Sequence, residues 1–167
     1  PRGSALGPMA DVVYRSLQHL REDDLRAVAE FLRSLPQTRT QASGRKPPDP
    51  AVRELGAQRY ETHCADCHGA RGEGARASGG ATIYPALAGN RLVTMEPPVN
   101  LIRVIVHGGF LPATAGNPRP FGMPPFGLAL TDDEIAAIAS FLRVSWGSAA
   151  GAVSPSEVAR FRGGAGD

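Results

Sequence analysis

Apolar residues recur at helical spacing along several stretches of the chain, and segments rich in glycine, proline and polar residues separate them. Leu25, Val28, Phe31, Leu32 and Leu35 share one face of a helix expected over Asp24–Leu35, and Pro36 stops it. The stretch PQTRTQASGRKPPDP, Pro36 to Pro50, has no apolar face and reads as a linker. A second helix opens at Asp49 and Pro50. The carboxylate accepts from the first unpaired N–H groups, and proline at the first helical position gives up a donor that has no partner there anyway. Val52, Leu55, Gly56 and Tyr60 form its face. In EPPVNLIRVIVHGG, Glu96 to Gly109, the β-branched run favours a strand by propensity. Pro97 and Pro98 ahead and Gly108 behind bracket a short helix instead, and with no partner strand evident a helix is expected. Prolines 112, 118, 120, 124 and 125 exclude regular structure from PATAGNPRPFGMPPFG. The last strong helix has a capping box, Thr131 with Glu134, acidic Asp132 and Asp133 at its positive end, and a stripe of Ile135, Ile138, Ala139 and Leu142. Beyond Trp146 a polar, small-residue arm holds one helical turn, capped by Ser154 with Glu157. The expected fold class is all-α.

One helix is written twice. LREDDLRAVAEFLR from Leu20 and LTDDEIAAIASFLR from Leu130 agree at Leu20/Leu130, Asp23/Asp133, Ala27/Ala137, Ala29/Ala139, Phe31/Phe141, Leu32/Leu142 and Arg33/Arg143. Leu25/Ile135 and Val28/Ile138 match in character. The copies differ at the cap, where Arg21 stands in place of Thr131. Internal repeats bear directly on architecture.

Composition narrows the classes. In 167 residues, 18 basic side chains face 16 acidic ones, for a net charge of +2. That balance argues for neither a nucleic acid nor an anionic membrane surface as partner. No apolar run reaches roughly 18 residues, so no transmembrane segment is expected, and the N-terminus lacks the apolar core of a signal peptide. Pro1–Ser4 resembles the remnant of a cleavable tag and is set aside. With 20 glycines, 15 prolines and 42% hydrophobic residues, much loop surrounds a modest core that a bound group would help fill.

Cys64 and Cys67 are the whole cysteine supply, and His68 follows at once. A redox-active dithiol would explain C-x-x-C but not the histidine, and no βαβ pattern surrounds it. Zinc would need further ligands, and His19, His63 and His107 lack finger-like spacing. Covalent haem attachment accounts for every residue: two thiols one helical turn apart meet two vinyl groups, and the adjoining imidazole faces the iron. Gly69 lets the chain leave without crowding the macrocycle. For the sixth ligand the candidates are Met9, Met95, Met123, His19, His63 and His107. Met123 is favoured, because Pro124 restricts its backbone and Pro125 stiffens the loop. A thioether opposite imidazole raises the reduction potential, as electron carriers need. Met95 is expected to pack, His107 to lie at a helix end, and His63 to face solvent.

LGAQRYETHCADCHGARGEG, YPALAGN, GMPPFG and LTDDEIAAIASFLRVSWG together resemble a class I cytochrome c domain, over about Asp49 to Gly147. More narrowly, the chain is similar to the haem domains of multi-haem cytochrome subunits serving membrane-bound bacterial dehydrogenases for alcohols, sugars or aldehydes. The resemblance implies short helices wrapped around one covalent haem c. It implies His68 and Met123 as iron ligands, and the Pro85 carbonyl as acceptor from the His68 ring. Leu87, Leu92 and Val106 are then expected to press on the porphyrin, and Gly56 and Tyr60 to cross the last helix near Phe141 and Leu142. Arg71, Arg76 and Arg91 are candidates for the propionates.

In that family haem domains follow one another, each closing with an acidic-capped helix. Residues 1–35 thus resemble the tail of a preceding haem domain, with Met9 as its stranded ligand. Residues 36–48 are the linker, 49–147 a monohaem domain and 148–167 a C-terminal arm. The chain is then expected to be a piece of a longer protein. The expected role is one-electron transfer, not catalysis, through a haem edge framed by Pro118, Pro120, Phe121, Pro125 and Phe126. The donor would be a dehydrogenase subunit or an adjacent haem domain, and the acceptor a quinone, an oxidase or another cytochrome. A periplasmic location is expected, because that compartment permits thiol oxidation chemistry. The alternative is a haem enzyme or small-ligand sensor with an open or displaceable sixth site.

Overall fold

The computed structural model describes residues 4–36, 44–80 and 82–163. Most of the expected linker, residues 37–43, lies outside them. Eight α-helices occur among the described residues: α1 (Pro8–Arg15), α2 (Glu22–Ser34), α3 (Pro50–His63), α4 (Ala65–His68), α5 (Arg91–Thr94), α6 (Val99–His107), α7 (Asp132–Val144) and α8 (Pro155–Arg162). A short 3-10 helix (Leu17–His19) and two antiparallel ribbons join them, β1 (Ala75–Arg76) with β2 (Thr82–Tyr84), and β3 (Gly109–Phe110) with β4 (Gly122–Met123).

The ambiguous run after Glu96 is helical, as its proline and glycine brackets suggested. α2 starts at Glu22, earlier than expected, because Glu22, Asp23 and Asp24 all sit in the first turn against the helix dipole. The segment from Pro112 to Gly127 is not wholly irregular. Its proline-free piece keeps its N–H groups, and Gly122–Met123 pairs with Gly109–Phe110.

The core forms where α3 crosses α7. Gly56 makes the approach possible: a Cβ there would press on the Ala137 carbonyl and sit 2.7 Å from the Cβ of Phe141. One turn on, the Tyr60 ring packs against Phe141 and Trp146, with centroids 5.5 Å away in each case. Ile102, Ile105, Ile135, Ile138 and Leu142 fill the space between α6 and α7. The Thr131–Glu134 capping box forms as expected.

The C-terminal arm is more than a polar tail. It folds back as α8 against α6 and α7 and buries Val153 and Val158. Its entry is fixed by the buried Ser140, whose Oγ donates to the Val153 carbonyl (3.2 Å) and accepts from the Val153 N–H (2.8 Å). Arg45 holds it further through two bonds to Glu157, at 2.9 and 2.7 Å, and one to Glu96 at 3.0 Å. Arg143, fully buried, donates to the carbonyls of Val93, Met95, Ala150 and Gly151 and to Glu96. By contrast α1 and α2 bury no residue.

Candidate functional site

α3 delivers its last turn directly into the cysteine motif. The Cys64 N–H still bonds to the Tyr60 carbonyl (2.8 Å), and the chain then turns tightly, with the His68 N–H reaching the Cys64 carbonyl at 2.9 Å. This turn, α4, brings Cys64, Cys67 and His68 to one cleft. Gly69, at φ +79°, ends it in a conformation that disfavours a side chain. The Tyr60 hydroxyl anchors the exit by donating to the Gly69 carbonyl at 2.6 Å.

His68 is buried, and its Nδ1 lies 2.9 Å from the Pro85 carbonyl. A carbonyl only accepts, so Nδ1 carries the proton and Nε2 keeps its lone pair for a metal. Burial pushes the imidazole pKa down, with the Pro85 bond opposing. The ring is therefore neutral, the form that ligates. Among the described residues both cysteines are free thiols, and burial, reinforced by Cys67, pushes the Cys64 thiol up to about 11. This shift, away from thiolate, is the opposite of the one that activates a nucleophilic thiol.

Met123 reaches the same cleft from β4. Its loop is bonded to the end of α6: the N–H groups of Phe126 and Gly127 donate to the carbonyls of Ile105 and Val106, both at 3.0 Å. Gly108, at φ +69°, seats it closely, since a Cβ there would press on the Met123 carbonyl and lie 3.0 Å from Pro124 and Pro125. The cleft encloses about 630 Å³ of space, its open side included, and its walls are mostly apolar. Two thiols, a neutral imidazole and a thioether against apolar walls fit a covalently tethered haem.

The structure brings Cys64, Cys67, His68, Pro85 and Met123 together at the cleft. Leu87, Leu92 and Val106 are not on its surface. Val106 is buried in the core, with Leu87 and Leu92 packed against that core. Val104 supplies the α6 wall instead, with Leu111, Tyr84 and Leu6. His63 does not face solvent freely: it lines the cleft, edge-on to Phe126 at 5.9 Å. Of the residues expected at the haem edge, Phe121 and Phe126 line the cleft, together with Pro124, and Pro118, Pro120 and Pro125 are not among its lining residues. Arg76 donates to the Gly80 carbonyl at 2.9 Å. Met9 is 54% exposed, and no helix among the described residues is long and apolar enough to cross a membrane.

Residues 53–146 match the family model for cytochrome c, spanning the cysteine motif, the methionine loop and α7. The chain belongs to the cytochrome c family. Helical with few short strands, it has the class I cytochrome c fold, and membership implies covalent haem c. The chain is 36% identical over 170 residues to the cytochrome c subunit of a quinone-dependent alcohol dehydrogenase from Gluconacetobacter polyoxogenes, covering 95% of this chain and 35% of that protein. It is 37% identical over 172 residues to a gluconate 2-dehydrogenase cytochrome c subunit from Pantoea cypripedii, covering 95% and 37%. It is 31% identical over 186 residues to a fructose dehydrogenase cytochrome subunit from Gluconobacter japonicus, covering 96% and 37%. The cytochrome c chain thus spans about a third of the length of these relatives.

Proposed function

We propose that this chain carries single electrons through one His68/Met123-ligated haem c, as part of a multi-haem subunit linking a periplasmic dehydrogenase to the respiratory chain. The observation that carries the reading is the pairing, in one cleft, of an imidazole with its Nδ1 engaged and a thioether on a proline-stiffened loop. Bound there, haem c supplies reversible exchange between Fe(II) and Fe(III). The chain's own groups do the rest. Cys64 and Cys67 tether the group, the Pro85 carbonyl orients His68, and the apolar walls keep water away. The relatives' names support a dehydrogenase as electron donor. A quinone, an oxidase or another cytochrome is the acceptor in this reading.

The same reading assigns α1 and α2 to the end of a preceding haem domain. The exposed apolar stripe of α2 supports this, as do the repeat with α7 and the length of the relatives. Met123→Ala in the haem-loaded protein tests the ligation. Loss of the low-spin spectrum and a fall in midpoint potential are expected. An unchanged spectrum refutes the assignment, and a denatured-haem assay returning other than one tethered haem per chain refutes the count.

A further inference from the structure

The cytochrome c match begins at residue 53, yet one wall of the cleft comes from far upstream. Leu6 lines the cleft with Val104, Leu111 and Met123. Its Cδ2 lies 3.7 Å from where a Cβ on Gly109 would sit, and Gly109 is the direct pairing partner of Met123 in the ribbon. Leu6 is therefore on the methionine side. The chain leaves it by a sharp turn: Gly7 at φ +56° and Pro8 at the first position of α1 swing the backbone out again immediately. On α1, Met9, Val12 and Tyr14 are 54%, 40% and 51% exposed, while Leu6 is half-buried. Leu6, ahead of α1, and Met9, in its first turn, line a further cavity with Leu92 of α5 and with Arg103 and His107 of α6.

We infer that Leu6 is a positioning residue for the sixth-ligand side: the segment ahead of α1 closes the cleft over Met123 and keeps small ligands from competing with the thioether. The inference rests on the ligation reading above. An apolar side chain at this place narrows the approach to Met123 and disfavours water there, so an incoming ligand must displace it as well as the sulfur. Two parts of the chain that the linker separates in sequence then share one chamber. Access to the iron is controlled from the upstream module.

The test uses the full haem-loaded chain and imidazole as the probe, titrated by absorbance. Leu6→Ser is expected to raise imidazole affinity on the order of tenfold, the fold-change matching about half of a leucine's burial. Leu6→Met, similar in volume and flexible, restores the wild-type affinity. Tyr14→Ser, exposed on α1, leaves it unchanged. Wild-type affinity in Leu6→Ser overturns the inference, as does an equal gain in Tyr14→Ser. If Met123→Ala keeps its spectrum, the ligation reading fails and this inference with it. If Met123→Ala behaves as expected and Leu6→Ser binds imidazole like wild type, the inference alone fails.

Discussion

Arg143→Met is the most demanding test of how the fold is held. The guanidinium has no exposed surface and donates to four main-chain carbonyls, at 3.1 Å (Val93), 2.8 Å (Met95), 2.7 Å (Ala150) and 3.1 Å (Gly151), as well as to Glu96. Burial pushes its pKa down, opposed chiefly by the Glu96 charge. Methionine fills similar space but satisfies none of these acceptors. Breaking one side of a buried ion pair costs about 3–5 kcal/mol. Glu96 keeps Arg45 at 3.0 Å, so its charge is not stranded and the low end, about 3 kcal/mol, applies. For a chain of this size each kcal/mol lowers Tm by about 2–4 °C, so a fall of roughly 6–12 °C is expected. Denaturant and thermal unfolding of the haem-loaded protein, followed by far-ultraviolet circular dichroism, measures it. Arg143→Lys should fall between, since an ammonium keeps the charge but not the planar fork. A loss below about 1 kcal/mol, the range of surface substitutions, refutes the buried-clamp argument.

Two further outcomes rest on the packing and the charges. Gly56→Ala places a Cβ against the Ala137 carbonyl and 2.7 Å from the Phe141 Cβ. Overpacking of about 1–3 kcal/mol outweighs alanine's helix preference of about 1 kcal/mol, and a denaturation midpoint at or above wild type sinks the α3–α7 crossing. Arg45, then Ser154, hold the Glu157 carboxyl down to about 2 from its ordinary 4.5. A depressed folded-state pKa means the stabilisation is complete above pH 4.5 and disappears as pH falls toward 2. With the pair about a quarter exposed, solvent screening discounts it to about 1 kcal/mol. Glu157→Gln should therefore destabilise near neutral pH and converge with wild type in acid. A pH-independent gap contradicts the pairing.

The thiol and imidazole half of the site was legible because its geometry is local: one helical turn after α3 sets where all three side chains point. That Met123 reaches the cleft was legible for the same reason, since its prolines act on adjacent torsions. The walls were not. Which face of α6 meets the cleft depends on how it packs with its neighbours: Ile102, Ile105 and Val106 join the buried core, leaving Val104 to the cleft. Nothing near Leu6 marks it, because its contacts lie on β3 and α6. The arm misled by composition. Its polar average hides Val153 and Val158, and two buried valines with a capping box suffice once α6 and α7 offer a surface.

The repeated helix shows where local reading stops. Leu142 is 4% exposed in α7, whereas its counterpart Leu32 in α2 is 55% exposed, and Phe31, which matches the half-buried Phe141, is 63% exposed. Arg33 is exposed on α2, while Arg143, preceded by the same Phe-Leu pair, is buried and bonds four carbonyls. Shared residues set the helix and the direction of its stripe; the burial of the second copy comes from α3, α6 and α8, which pack on α7 among the described residues. A helix of 13 residues is marginal in water without a packed face. The apolar stripe of α2 is largely exposed among the described residues, and in the reading proposed above it packs on the body of the preceding haem domain. In that same reading Leu6 and α2 belong to one upstream segment, α2 packing on the preceding domain and Leu6 lining the cleft described here.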